Sequence, residues 1–513
     1  MSERAIPRVL TLSELLGTCL AKETSSVANW NGARCINGLA VDSRLVEEGT
    51  VFFARPGVES DGIEFVDDAL ARGASAVVTQ SGDPRGARDF GVPTLQVADV
   101  AGCLGTAADT FFEQPSSALN IVGVTGTNGK TSVVHYVAQA LDRLGEQCGV
   151  IGTLGTGVFP LRDETEHTTP DTILLHERLQ RFVASGVRFA VMEASSHGLA
   201  QGRMAGVRYR CAALTNVSRD HLDYHGSDAA YRAAKASLFD WPDLESAVLN
   251  ANDRLGAELI ASTQAQTLGY GLGISASGAV ADRRLDGEVR EATREGLTIS
   301  VDLDGERAVL SPQLIGRFNA ENALAALGIL VSVGVPFEDA IGALALATPA
   351  PGRMHHLPVR SDAPTVVVDY SHTPDALRVA LESLAPFAQG QLWCVFGCGG
   401  DRDRGKRELM GSAARAGADR VVITSDNPRS EPPEEILADI LAAWADGVAP
   451  DPHVHVDRKR AIETAVSLAA PGDIVLIAGK GHERFQIIGD EVRPFDDYEI
   501  AAAALAGRSS WCA

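Results

Sequence analysis

Ten residues constrain this chain more than any others. Gly123-Val124-Thr125-Gly126-Thr127-Asn128-Gly129-Lys130-Thr131-Ser132 close the apolar run Leu119 to Val124 and open a helical stretch from Lys130 to Leu144. A strand, a glycine turn and a helix in that order form a phosphate cradle. Glycines let the backbone wrap the anion, N–H groups and the helix dipole draw its charge, a lysine reaches the β/γ-phosphates, and the next hydroxyl suits Mg²⁺. Gly126, Thr127, Asn128, Gly129, Lys130, Thr131 and Ser132 are therefore the expected nucleotide-binding loop. The plainer alternative is a turn that only joins strand to helix. Gly123 stands one residue too early for the general G-x-x-x-x-G-K spacing, so the pattern is the narrower G-T-N-G-K-T.

A chain of 513 residues is too long for one growing core, and about three domains are expected. The segment Glu113-Gln114-Pro115-Ser116-Ser117 and the breaker run Thr348-Pro349-Ala350-Pro351-Gly352 supply boundaries, giving domains 1–115, 116–350 and 351–513. Strand-like and helical pieces alternate in all three, so the fold class is α/β: a small first domain, a central P-loop domain built on a parallel sheet, and a C-terminal Rossmann-like domain. The polar stretch from Leu272 to Val309 is expected to be a surface β excursion.

Acidic residues outnumber basic ones 67 to 45, a formal net charge of -22, which argues against nucleic acid or an anionic membrane surface as a partner. No signal-peptide core opens the sequence and no run of about twenty apolar residues occurs, so a cytoplasmic protein without membrane insertion is expected. The eight cysteines lack the spacing of a disulfide framework or zinc ribbon. Cys394 and Cys398 read as packing residues, and the neighbouring His355 and His356 as structural ones.

Charged groups gather at several strand ends, where α/β proteins build ligand sites. In the central domain these are Met192-Glu193-Ala194-Ser195-Ser196-His197 and Asn216 to Gly226, which includes His221. In the third domain they are Asp369-Tyr370-Ser371-His372, Gly397 to Arg407, Asp426-Asn427-Pro428-Arg429 and Gly479-Lys480-Gly481-His482-Glu483. Arg402 and Arg429 offer planar forks for carboxylates, while Asp426 and Glu483 accept hydrogen bonds from an ammonium group, a set that suits a zwitterion with an extra carboxylate. Read alone, each also has an ordinary role: Glu193 and His221 as surface or capping residues, Lys235 as a solvated helix lysine, Asp369 as a helix-capping turn, and Asp426 to Arg429 as an Asx-Pro turn.

Together, G-T-N-G-K-T, the Glu193 and His221 segments, Tyr231-Arg232-Ala233-Ala234-Lys235 and the third-domain clusters resemble the Mur ligase family of ATP-dependent amino-acid ligases. The resemblance spans nearly the whole chain. It implies that Lys130, Lys235 and His221 are catalytic, and that Thr131, Glu193, His221 and a carbamylated Lys235 hold Mg²⁺. Asn319 and Asp369 join the ATP-binding loop on the nucleotide side. Val41 and Ser43, with Gly57 to Gly62, look like the family's uridine-binding segments, and Thr168, Thr169, Ser195, Gln201 and Arg203 like its muramoyl-peptide contacts. His167 stands where some relatives carry Asn.

In that family the D-N-P-R motif marks enzymes that add meso-diaminopimelate. The resemblance therefore assigns Arg402, Asp426, Asn427, Pro428, Arg429, Gly479 and Glu483 to that amino acid. The implied reaction joins it to a UDP-muramoyl-dipeptide through an acyl phosphate, with ATP and Mg²⁺, in a monomer acting on small molecules. The rivals are a folylpolyglutamate synthetase of the same superfamily and a P-loop regulatory protein that hydrolyses nucleotide without joining anything. The uridine-like first domain and Asp426 to Arg429 count against the former.

Overall fold

Short runs of Val, Ile and Leu bounded by glycine, each followed by an amphipathic helix, fold as parallel strands covered on both faces. In the computed structural model, which describes residues 9–508 except 23–26, 58–59, 164, 166, 219, 275–279 and 448–449, such runs assemble three larger sheets. The first has five strands in the spatial order Val27–Ala28, Thr94–Val97, Ala76–Gln80, Thr50–Phe53, Gly38–Ala40, all parallel except the first pair.

The second sheet has ten strands. Its parallel centre runs Cys148–Gly152, Phe189–Glu193, Asn120–Thr125, Cys211–Leu214, Ser246–Asn250, Gln266–Leu272 and Arg283–Ala292. The strands Leu297–Leu303 and Glu306–Leu310 then extend it antiparallel. The expected surface excursion is thus part of the central sheet. Leu297, Ile299, Val301 and Leu303 alternate inward and are buried, while the polar residues between them stay partly exposed.

Over this sheet lies the helix Arg317–Ser332, buried from Ala323 to Leu330 and packed beside the helix Lys130–Arg143. A helix apolar on every side belongs in a core. Each fully buried leucine here (Leu324, Leu327, Leu330) contributes roughly 1.5–3 kcal/mol.

The third sheet places Thr365–Asp369, Ile474–Ala478, Leu392–Phe396, Arg420–Thr424 and His453–His455 in parallel, with His355–His356 added antiparallel. Asp369, Phe396, Thr424 and Ala478 therefore end at the same edge, and the loops leaving them face one another. Cys394 and Cys398 are buried among apolar side chains, and burial pushes the Cys398 thiol up to about 12. His355 stacks on Tyr498 at 4.3 Å between ring centroids, in keeping with a structural role. Among the described residues no helix is long and apolar enough to cross a membrane.

Candidate active site

The strand Asn120–Thr125 delivers the chain into a turn that only glycine tolerates at two points. Gly126 has φ +148 and a Cβ there would lie 1.9 Å from Thr215 Oγ1; Gly129 has φ +87 and its Cβ would meet Asn322 Oδ1 at 2.4 Å. The neighbouring strand end fixes the turn from outside. Thr215 Oγ1 donates to Asn128 O at 2.5 Å, Thr127 N donates to Asn216 O at 2.7 Å, and Asn128 N donates to Asn216 Oδ1 at 3.1 Å. Asn319 lies behind the loop: it accepts from the Tyr136 hydroxyl and from Asn322 Nδ2, and donates to Ile315 O.

Lys130 curls over its own loop, donating to Gly126 O at 2.7 Å and Thr127 O at 2.8 Å. Burial lowers its pKa, and the like charge of Arg353 adds to the effect against the attraction of Glu193 and Asp220. Lys235 is buried, contrary to the solvated alternative, and donates to the same Gly126 O at 2.8 Å. Its amine is pushed down to about 6, first by desolvation and then by the charge of Lys130. Tyr231 flanks it, with its hydroxyl 2.9 Å from Thr127 Oγ1.

Glu193 ends its strand as a buried carboxylate. Thr131 Oγ1 donates to both its oxygens at 3.0 Å, Thr153 N to Oε1 at 2.8 Å and Thr153 Oγ1 to Oε2 at 3.2 Å. Its hydrogen-bond partners are thus hydroxyls and a backbone N–H. That donor set fits Mg²⁺, which takes one or two carboxylates, a hydroxyl, phosphate oxygens and waters rather than a full protein cage. No group of three or more His, Cys, Asp or Glu residues among the described ones could hold a metal ion. His221 has φ +49, is half-exposed beside Asp220, and has its ring 6.3 Å from that of Tyr231.

The residues expected to hold the muramoyl-peptide form one network. Thr168 Oγ1 lies 3.1 Å from Thr153 Oγ1; Thr169 Oγ1 donates to Glu193 O and accepts from Ser195 N; Arg203 donates to Thr169 O and Gln201 Oε1. Sequence reasoning missed Arg55, which crosses from the first sheet to donate to Gln201 O at 3.1 Å. Arg203 donates to the same residue through Gln201 Oε1; desolvation lowers its pKa and the Arg55 charge lowers it further, against the attraction of Asp171, so two guanidinium groups lie close together, an arrangement suited to an anion. Ser43 is buried after Asp42, which caps the short turn Ser43–Leu45, and Val41 packs against the first core. Within the Gly57–Gly62 segment, residues 58–59 lie outside the described set.

In the third domain two loops are zipped together. Gly400 N donates to Asn427 O, Arg429 Nη1 to Gly400 O, and Ser430 Oγ to Asp401 Oδ1. A Cβ at Gly400 would lie 1.8 Å from Pro428 O. Asp401 and Arg429 both take left-handed φ, +54 and +52, backbone that bulky residues hold only where their surroundings impose it. The buried Arg407 grips Glu431 with both terminal nitrogens, at 2.7 and 3.0 Å. Arg402 is exposed at the rim.

Glu483 is less open than the sequence suggests. Its Oε2 accepts from Asn427 Nδ2 at 2.9 Å and from the fully buried Lys480 at 2.9 Å. Lys480, which sequence reasoning passed over, also donates to Asn427 Oδ1 at 3.1 Å. Asp426 accepts from Asn427 N, and Gly479, at φ +115, approaches it so closely that a Cβ would meet its Oδ2 at 2.8 Å. Asp369 accepts from Met354 N at 2.7 Å and from Ser371, tying the third sheet to the incoming chain. Arg353 lies over the Tyr370 ring and its charge is felt by Lys130, so it stands between the two halves of the site.

A phosphate-type loop and a buried carboxylate on the second sheet, with a separate cluster of charged loops on the third, are the parts from which an ATP-dependent ligase can be built. Family models agree along the chain: the Mur ligase family catalytic domain matches residues 35–111, the Mur ligase middle domain 124–330, and the Mur ligase glutamate ligase domain 352–481. The chain belongs to the Mur ligase family.

Among its relatives, the UDP-N-acetylmuramoyl-L-alanyl-D-glutamate--2,6-diaminopimelate ligase of Pseudomonas syringae pv. tomato is 44% identical over 481 residues, covering 92% of this chain and 95% of that protein. The enzyme of the same name from Alkalilimnicola ehrlichii is 45% identical over 484 residues, again 92% and 95%. A solved structure carrying that name superposes with a TM-score of 0.71 at 36% identity, covering 98% of this chain and all of the other.

Proposed function

We propose that this chain is the ATP-dependent ligase that adds meso-diaminopimelate to UDP-N-acetylmuramoyl-L-alanyl-D-glutamate during peptidoglycan synthesis, in the cytoplasm and as a monomer. The observation that carries the choice of amino acid is the zipped pair of loops around Arg429, which presents guanidinium and carboxylate groups together beside Glu483. In this reading the domains divide as 1–115 for the UDP-substrate, 116–350 for ATP and 351–513 for the amino acid.

A carboxylate is a poor electrophile, so the D-glutamyl side-chain carboxylate first attacks the γ-phosphorus of ATP and ADP leaves. The neutral amine of diaminopimelate then attacks the acyl carbon, loses a proton and expels phosphate. Lys130 and the loop N–H groups hold the triphosphate, and the Arg55 and Arg203 pair faces the anionic UDP-substrate. Thr131, Glu193, His221 and a carbamylated Lys235 would hold Mg²⁺, which when bound would neutralise the charge that gathers when carboxylate meets triphosphate. A neutral, buried Lys235 amine is the form that adds CO₂. Catalysis then rests on charge neutralisation and alignment.

The two halves of the site spring from different sheets, which leads us to expect that the third domain closes on the central one; identical solution scattering with and without all substrates would contradict closure. The function itself is tested by phosphate release and amide formation with ATP, Mg²⁺ and the UDP-muramoyl-dipeptide, comparing meso-diaminopimelate with L-lysine. Product with diaminopimelate is expected. Product with lysine alone would overturn the reading of Arg429, and ATP turnover without amide would favour a hydrolytic P-loop protein.

A further inference from the structure

Behind the Asp426–Arg429 and Gly479–Glu483 loops lies an ion pair sealed from solvent. Arg458, the first residue of the helix Arg458–Leu468, and Asp497, the first of the helix Asp497–Arg508, have completely buried side chains. Arg458 Nε donates to Asp497 Oδ1 and Nη2 to Oδ2, both at 2.7 Å, a two-pronged fork. The remaining donors do something less usual. Nη1 reaches Ser425 O at 3.3 Å and Nη2 also reaches Ala478 O at 3.0 Å. These carbonyls belong to the residues immediately before Asp426 and Gly479, so one guanidinium holds both strand ends from which the pocket loops depart.

Its charge also faces the pocket. Desolvation opposes the protonated form of Arg458, but Asp497 outweighs it, with Asp426 and Glu483 adding to the same side, and its pKa rises. A buried pair of this kind adds little net stability compared with well-packed apolar residues, whereas it fixes geometry strongly because losing one partner strands the other. Other tethers converge on the same loops: Gln486 Nε2 donates to Asp426 O at 2.7 Å and Ile487 N to Asn427 Oδ1 at 3.0 Å.

We propose that Arg458, locked by Asp497, is a positioning residue of the amino-acid pocket, setting the spacing between the Asp426–Arg429 and Gly479–Glu483 loops and coupling it to the C-terminal helix. This rests on the proposed function, since it takes that pocket to be where the incoming amino acid binds. A guanidinium fork reaches Asp497 and two carbonyls at once; a lysine ammonium keeps the charge but not the fork.

The test is steady-state kinetics of the full chain carrying Arg458→Met, Arg458→Lys or Asp497→Asn, with Lys459→Gln, an exposed neighbour, as control. KM is measured for meso-diaminopimelate, ATP and the UDP-muramoyl-dipeptide. We expect the diaminopimelate KM to rise about tenfold or more in Arg458→Met and Asp497→Asn, partial recovery in Arg458→Lys, and the other two KM values to stay within about twofold. KM does not depend on the folded fraction, so a purely structural role would lower apparent kcat and melting temperature with all three KM values unchanged, and that overturns the proposal. If Arg458→Met does not fold, the near-isosteric Asp497→Asn decides. A wild-type chain that joins no amino acid would remove the proposed function and this inference with it. A working wild type with an unchanged amino-acid KM in the variants removes this inference alone.

Discussion

Lys130 and Lys235 point their amines at a single atom, the carbonyl oxygen of Gly126, from 2.7 and 2.8 Å. Burial disfavours the charged form of Lys235 and the like charge of Lys130 adds to it, so its pKa falls to about 6 while a free lysine titrates near 10.5. Between those values the unfolded chain binds the extra proton, so this residue makes folded stability rise with pH across the window, and its full penalty is felt below about 6. Lys235→Met removes the penalty. In CO₂-free buffer without metal its melting temperature should exceed that of the wild type by more at pH 6.5 than at pH 9.5, both roughly chosen within that window. Its turnover should fall at least about 100-fold. An equal stability gain at both pH values would refute the neutral-amine account.

Glu193 is the buried acid facing Thr131, and replacing it tests the magnesium assignment without altering shape. Glu193→Gln keeps an acceptor for Thr131 and Thr153 but discards the charge. We expect the Mg²⁺ concentration for half-maximal turnover to rise about tenfold or more, with the KM for diaminopimelate unchanged. Chelation of Mg²⁺ should stop the wild-type enzyme reversibly. An unaltered Mg²⁺ titration in the variant would remove Glu193 from the metal site.

Arg429 carries both a fork and a strained backbone. On the proposed function, Arg429→Ala should raise the KM for meso-diaminopimelate on the order of 100-fold while leaving that for ATP within about twofold, because in that reading the lost group pairs with a carboxylate of one substrate only. A fall in kcat alone would mean that Arg429 only braces Gly400.

Arg55 and Arg203 meet at Gln201, the first donating to its O and the second to its Oε1. Arg55→Ala should raise the KM for the UDP-muramoyl-dipeptide about tenfold and flatten its dependence on salt. Unchanged salt dependence would place the anion elsewhere.

The phosphate loop, the strand-end clusters and the α/β alternation were legible because each is local: a few adjacent residues carry the geometry. The strands Leu297–Leu303 and Glu306–Leu310 read from the sequence as a surface β excursion rather than as part of the central sheet, because their two-residue alternation, with Leu297, Ile299, Val301 and Leu303 buried, becomes meaningful only once the sheet supplies a core. Arg55, Lys480 and Arg458 were missed for another reason. Arg55 and Arg458 meet partners far along the chain, Gln201 and Asp497, whereas Lys480 pairs with the nearby Glu483 and with the distant Asn427, and nothing in the sequence around Lys480 or Arg458 announces that it will be buried.

The loops around Arg429 hang from the third sheet and the phosphate loop from the second. On the proposed function, choosing the amine and energising the carboxylate are consequently inherited on separate stretches of polypeptide. A lineage that changes which amino acid cross-links its wall can redraw the first without disturbing the second. A small molecule aimed at the zipped loops would distinguish among bacteria by their wall chemistry, whereas one aimed at the G-T-N-G-K-T turn would meet the same surface wherever that turn is retained.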